Sequence, residues 1–295
     1  MKILVTGANG LVGRRIIRTL AQDKENLIYA TSQKKVQFDI NTNFFTVNLV
    51  YSDLNQLIET LNPDVLIHCA AMASPDACEA DRYSAYKINV EVTARLAAAC
   101  RDYGAHMIFL SSDFIFDGNK GNYTEEDIPS PISYYGETKV EAEKSILDLN
   151  IGASIVRTSL VFGYDEQLAR PNIVLRVIDN LKKGKSFKVP IDQFRTPTDA
   201  DDLAKGIFGL AQKKLGGIYN ISGGQRISVY ELAKQVALAF GYNDELLIPV
   251  KSVDLPEPAK RPLDSGLNID KAIKTLNYTP TPLASSIERI KDHIR

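Results

Sequence analysis

The spacing of apolar positions changes in an orderly way along this chain. Ile3-Leu4-Val5 is an unbroken apolar run, the pattern of a strand buried on both faces. From Leu11 to Ala21 the apolar residues at 12, 16, 17 and 20 mark one face of a helix. Further strands are predicted at Leu27–Ala30, around Phe44–Leu49, at Val65–Ile67 after the Pro63-Asp64 turn, at Met107–Leu110 and at Ile155–Val156. A long helix is predicted over 84–102, where Ile88, Val92, Leu96 and Cys100 fall four apart, and another over Ser133–Leu149. Apolar strands alternating with helices predict an α/β fold: a doubly wound parallel sheet covered on both faces.

The second half is less regular. Helices are predicted at Ile173–Leu181 and at Asp199–Ala211, the latter capped by Thr198 or Asp199, with a strand at Gly217–Ile221. After the Gly223-Gly224 turn, Ser228-x-x-Glu231 forms a capping box for a helix running to about Phe240. Four prolines between 249 and 262 argue against a regular element there. The division that follows is a sheet domain over 1–160, rejoined by 191–221, and a smaller C-terminal α/β lobe from 161–190 and 222–295.

Composition narrows the function. With 44% hydrophobic residues in 295, the chain can bury a large core without staples. The 35 Lys and Arg against 36 Asp and Glu leave a net charge of −1, so no broad field draws it to nucleic acid or an anionic membrane. Any anion must be held by local geometry. Cys69, Cys78 and Cys100 show no C-x-x-C spacing and read as reduced thiols. The first apolar run breaks at Thr6-Gly7, too short for a signal peptide, and no stretch approaches ~20 apolar residues, so a soluble cytoplasmic protein is expected. His106 and His293 are isolated, no cluster has metal-ligand spacing, and no metal is expected.

Directly after the first strand comes Gly7-Ala8-Asn9-Gly10-Leu11-Val12-Gly13. Between a strand and a helix, this run reads as a Rossmann-type dinucleotide loop. Gly7 permits the tight turn, Gly10 lets backbone approach a pyrophosphate, and Gly13 lets the helix pack close. Gly7, Asn9, Gly10, Leu11, Val12 and Gly13 are therefore candidate cofactor contacts, the free N–H groups holding the anion. At the end of strand two, Ala30-Thr31-Ser32-Gln33-Lys34-Lys35 lacks the carboxylate that meets a free ribose. Ser32, Lys34 and Arg14 are placed for a 2′-phosphate instead, although a lone lysine is ordinarily a solvated surface residue. NADP is expected over NAD, with NAD as the alternative.

Tyr135 and Lys139 stand at i and i+4 on one helix face. A free phenol has a pKa near ~10, and a neighbouring ammonium and an oxidised nicotinamide lower it toward neutrality. Ser111-Ser112-Asp113 follows a strand at the carboxyl end of the sheet, where open α/β sheets bind ligands, and a hydroxyl there can polarise a carbonyl. Asn89 lies within the predicted 84–102 helix, placed to bond a water that relays protons to Lys139. His68 and Cys69 follow a buried strand and read as core or cofactor-lining residues.

The glycine loop, His68-Cys69-Ala70-Ala71, Asn89-Val90, Ser111-Ser112 and Tyr135-x-x-x-Lys139 together resemble the extended short-chain dehydrogenase/reductases. The resemblance implies Tyr135 as acid/base, Lys139 as its tuner and a ribose ligand, Ser112 as the carbonyl-binding hydroxyl and Asn89 in the relay. It also implies Cys69, Ala70 and Ala71 along the cofactor and Asn48-Leu49 beside the adenine, where the family commonly has Asp-Leu. Within the family, Ser111 to Gly118, Arg157 to Gly163 and Arg261-Pro262-Leu263-Asp264-Ser265 are similar to dTDP-4-dehydrorhamnose reductases. Phe114 stands where dehydratases carry glutamate. Ser112 replaces the usual threonine, and Tyr164–Asn172 replaces a glycine-rich run.

The expectation is an NADPH-dependent reductase of a 4-keto nucleotide sugar, with Ser112, Asp113, Arg195 and Arg261 contacting substrate. Both arginines have a second reading, as structural salt bridges. A nucleotide-sugar epimerase and a non-catalytic NADP-binding regulatory subunit are the alternatives. A homodimer is allowed by the resemblance alone.

Overall fold

In the computed structural model, which describes residues 1–168 and 170–294, strands alternate with helices from the first residues onward. The chain lays down β1 (Lys2–Thr6), β2 (Leu27–Ser32), β3 (Asn43–Thr46), β4 (Val65–His68), β5 (His106–Leu110) and β6 (Ser154–Arg157). It then makes the short strands β7 (Val161–Phe162), β8 (Phe187–Pro190), β9 (Phe194–Arg195) and β10 (Thr198–Asp199) before returning as β11 (Gly217–Asn220). The last strands are β12 (Ile227–Ser228) and β13 (Leu247–Val250). Seven of them form one sheet in the order β11-β6-β5-β4-β1-β2-β3, and every pairing in it is parallel. Strand order reverses between β1 and β4, which opens a crevice at the carboxyl edge where a ligand can enter.

The helices are α1 (Leu11–Leu20), α2 (Leu54–Leu61), α3 (Pro75–Ala80), α4 (Arg82–Tyr86), α5 (Val92–Tyr103), α6 (Tyr134–Leu147), α7 (Ile173–Lys182), α8 (Ala200–Lys213), α9 (Val229–Phe240), α10 (Asp270–Leu276) and α11 (Leu283–Ile294). Alternate strand residues point to opposite sheet faces. Ile3, Val5, Val65 and Ile67 pack against Ile16, Ile17 and Leu20 of α1 and Leu203 and Ile207 of α8. Leu4, Leu66, Met107 and Ile155 pack against Ile58 of α2, Leu96 of α5 and Ile146 of α6. Each such side chain contributes about 1.5–3 kcal/mol by leaving water. A third core joins α7, α9 and α11 through Val177, Val236 and Ile287.

Four features differ from the sequence reading. The third strand stops at Thr46 and β2 runs on to Ser32. The predicted 84–102 helix is divided, because a π turn at Lys87–Glu91 separates α4 from α5. Pro249 lies inside β13, which pairs with β8 in a two-stranded sheet. There proline is tolerated, because its missing N–H interrupts no second neighbour. Local capping chemistry appears in place: Asp199 caps α8, and Ser228 and Glu231 form the reciprocal box of α9. Among the described residues no helix is long and apolar enough to cross a membrane.

Candidate active site

The glycine loop joins β1 to α1 at the centre of the sheet's carboxyl edge. Gly7 has φ +70°, and a Cβ there would stand 2.7 Å from the Ala70 nitrogen. A Cβ on Gly13 would stand 2.4 Å from the Gly7 carbonyl oxygen, so only glycine lets α1 sit this close. Gly10 is different. It is exposed, and the nearest atom to an added Cβ is the Gly7 oxygen at 3.4 Å, so the protein itself does not demand glycine there. Gly10 is also the N-cap of α1 and supplies no side-chain cap, so the helix's first amides remain available to an anion. Together these features fit a pyrophosphate, which needs both that opening and those donors. Asn9, Leu11 and Val12 are half-buried around the loop. Cys69, Ala70 and Ala71 are half-buried on its far side, and burial pushes the Cys69 thiol up to about 12.

At the end of β2 the side chains divide. The Ser32 hydroxyl donates to the Lys34 carbonyl and is buried, while the Lys34 side chain is exposed. Arg14 is buried, donating to Gln167 Oε1 at 2.8 Å and lying 3.6 Å from Asp165 Oδ1. Asn48 accepts from the Val50 amide at 3.1 Å, and Leu49 packs on the core beneath α2 and α5. The sequence segment Tyr164–Asn172 includes Ala169, which lies outside the described residues.

Ser133 caps α6 by accepting from the Gly136 amide at 3.3 Å. From that start Tyr135, Lys139 and Glu143 recur at intervals of four, and all three are buried. Tyr135 lies beside Ser112 and meets the Phe114 ring edge-on at 5.7 Å. Lys139 Nζ donates to the Leu110 carbonyl at 2.6 Å and stands 4.2 Å from the centre of the Phe109 ring. Burial lowers its pKa to about 8, against the opposing charge of Glu143. The expected lowering of the phenol is absent from the bare protein. Burial raises Tyr135 above the usual tyrosine range, with neighbouring Ser112 pulling the other way. The tyrosine is therefore held as a protonated donor.

Asn89 sits in the π turn, and its amide is already engaged. Oδ1 accepts from the Met72 amide at 2.8 Å, and Nδ2 donates to the Met72 carbonyl at 3.2 Å and to Thr138 Oγ1 at 3.0 Å. Its carbonyl accepts from Thr93 Oγ1 at 2.7 Å. Through these bonds Asn89 pins the loop after β4 to α6.

Three expected substrate contacts are otherwise occupied. Asp113 accepts from Ser112 at 3.2 Å, Ser159 at 2.9 Å and Ser265 at 2.5 Å, and lies 3.6 Å from Arg195 Nε. Asp113 is 2% exposed, and burial raises its pKa. Arg195, equally buried, donates to the Phe194 carbonyl at 2.7 Å. Arg261 pairs with Asp76 at 2.7 Å and Glu257 at 2.9 Å. For both arginines the salt-bridge reading describes the structure. Sequence reasoning missed Glu143. It takes the Ser111 hydroxyl at 2.5 Å and the Arg157 guanidinium at 2.7 Å in a buried network under the site. The i, i+4, i+8 series from Tyr135 was the available signal. A cavity of about 770 Å³ opens elsewhere, lined by Leu238 of α9 and by Leu283 and Ile287 of α11.

A Rossmann-type sheet with its glycine loop, and a Ser–Tyr–Lys set at the sheet's carboxyl edge, define an extended short-chain dehydrogenase/reductase. The whole chain, residues 1–295, matches the family described as the RmlD substrate binding domain, and it belongs to that family. It is 32% identical to methionine adenosyltransferase 2 subunit beta of Mus musculus, over 97% of this chain and 86% of that protein. It is 30% identical to dTDP-4-dehydrorhamnose reductase of Aggregatibacter actinomycetemcomitans, over 98% of each. The crystal structure of dTDP-4-dehydrorhamnose reductase from Bacillus anthracis in complex with NADP superposes with a TM-score of 0.85 at 26% identity, covering 99% of each chain.

Proposed function

We propose that this protein reduces the 4-keto group of a nucleotide sugar with NADPH, the substrate lying between the sheet's carboxyl edge and the lobe of 161–190 and 222–295. The observation that carries the reading is the pair Tyr135 and Lys139, buried one turn apart on α6, with Ser112 buried beside the phenol just after β5. When bound, the nicotinamide supplies hydride to the keto carbon. Ser112 donates to the carbonyl oxygen, and the Tyr135 proton passes to that oxygen as negative charge develops. Lys139, one turn further along α6 and fixed on the Leu110 carbonyl, would hold the ribose of the bound nucleotide. The relative from Bacillus anthracis, whose structure contains NADP, supports the cofactor assignment.

A second reading has specific support. Arg195 and Arg261 are both paired with carboxylates, and one relative is the beta subunit of an adenosyltransferase. A non-catalytic NADP-binding subunit would need neither arginine for a diphosphate. The deciding experiment follows NADPH absorbance with dTDP-4-keto-6-deoxy sugars, for the wild type and Tyr135→Phe. Stoichiometric consumption, lowered at least ~10²-fold in the variant with NADPH affinity unchanged, supports the reductase. Tight NADPH binding without consumption, together with co-purification with a larger enzyme, supports the subunit. Turnover without net consumption supports the epimerase.

A further inference from the structure

Arg14, Arg15 and Arg18 stand in α1 beside the loop that follows β2, and the segment 164–168 crosses them. Arg14 is 2% exposed yet, among the described residues, its side chain makes one hydrogen bond, to Gln167, and its Nε has no partner. Its planar face lies 5.4 Å from the centre of the Phe38 ring, which places it next to the residues after β2. Asp165 is the carboxylate between these cations. Its Oδ1 accepts from the Gln167 amide at 3.1 Å and stands 3.6 Å from Arg14 Nη1. Its Oδ2 is 3.0 Å from Arg18 Nη1 but lacks the alignment of a hydrogen bond. Arg15 donates to the Tyr164 carbonyl and lies 3.4 Å from Asp201. Asp39, 3.9 Å from Arg18 and exposed, is a further acid at this corner.

A buried guanidinium with unfilled donors, facing a buried carboxylate that makes no direct hydrogen bond to it, is an incomplete anion site. We propose that Asp165 determines cofactor choice: it occupies the place of the 2′-phosphate on Arg14 and Arg18, and NADP must displace or crowd it to bind. The proposal rests on the reading that the glycine loop holds NADP. A carboxylate and a phosphate sharing two guanidiniums repel one another in a poorly solvated corner, whereas NADH brings no second anion. Asp165 therefore narrows the preference for NADPH that Arg14 creates.

The test is direct titration of the purified full-length protein with NADPH and with NADH, followed by nucleotide fluorescence. Asp165→Asn keeps an acceptor for the Gln167 amide and removes the charge, and Asp165→Ser serves as a second variant. NADPH affinity is expected to rise on the order of tenfold in both, with NADH affinity unchanged. In Arg14→Met the gain from Asp165→Asn should vanish. An unchanged NADPH-to-NADH ratio in both Asp165 variants overturns the proposal while leaving NADP binding intact. A selective loss of NADH affinity overturns it too, by showing that the carboxylate holds a ribose hydroxyl. Failure of the wild type to bind either nucleotide overturns the cofactor reading and this proposal with it.

Discussion

His68 ends β4 with each ring nitrogen facing a threonine hydroxyl, Nδ1 2.7 Å from Thr6 and Nε2 3.1 Å from Thr93. Burial, and secondarily the charge of Lys139, push its pKa down to about 3. Below pH ~6.5 the unfolded chain binds a proton there that the folded protein refuses, so stability falls with pH through the window from about 6.5 to about 3. The loss should reach about 2 kcal/mol by pH 5. Asp113, raised by burial, works in the opposite sense, so the comparison must be between proteins. His68→Asn is expected to flatten the fall between pH 6.5 and 5 measured by urea unfolding, and an equal slope in both proteins would rule His68 out as its source. The sequence reading of His68 as a core residue rested on its place after an apolar run, which is local information. Arg261 and Asp76 are 185 positions apart, and no spacing rule reaches that far.

At the scale of elements, the glycine loop separates structural from ligand-driven requirements. Gly13→Ala drives a Cβ into the Gly7 carbonyl and should cost about 1–3 kcal/mol by overpacking, read as a lower urea midpoint. Gly10→Ala meets no such obstacle and should shift stability by less than about 0.5 kcal/mol while weakening NADPH binding in titration. Undiminished affinity would show that the loop does not cradle the pyrophosphate. Caps and strand–helix alternation were legible for the same reason as these glycines, since Ser133, Asp199 and Ser228 act on neighbours within three residues. The π turn was not legible. Ile88, Val92, Leu96 and Cys100 keep an apparent four-residue interval straight through it, and the widened turn places Asn89 on Met72 through contacts 17 residues apart.

For the molecule as a whole, Asp113 is the junction. It ties the end of β5 to Arg195 and Ser265, which belong to the chain's second half. Asp113→Asn leaves Arg195 buried without its counter-charge and should destabilise the protein by about 3–5 kcal/mol in urea unfolding. An unchanged midpoint would mean that Arg195 does not depend on this carboxylate. The second half was harder to read because much of it is short strand pairs, two to four residues long, too brief for periodicity to register. The seven-stranded sheet is completed late in synthesis. Its edge strand β11 docks on β6 only after residues 158–216 have been made. At about 5–20 residues per second, a nascent chain leaves the outer rim of β6 bare for roughly 3 to 12 s. In that interval a neighbouring polypeptide can add a strand of its own, so crowded synthesis puts this rim at greatest risk of mispairing.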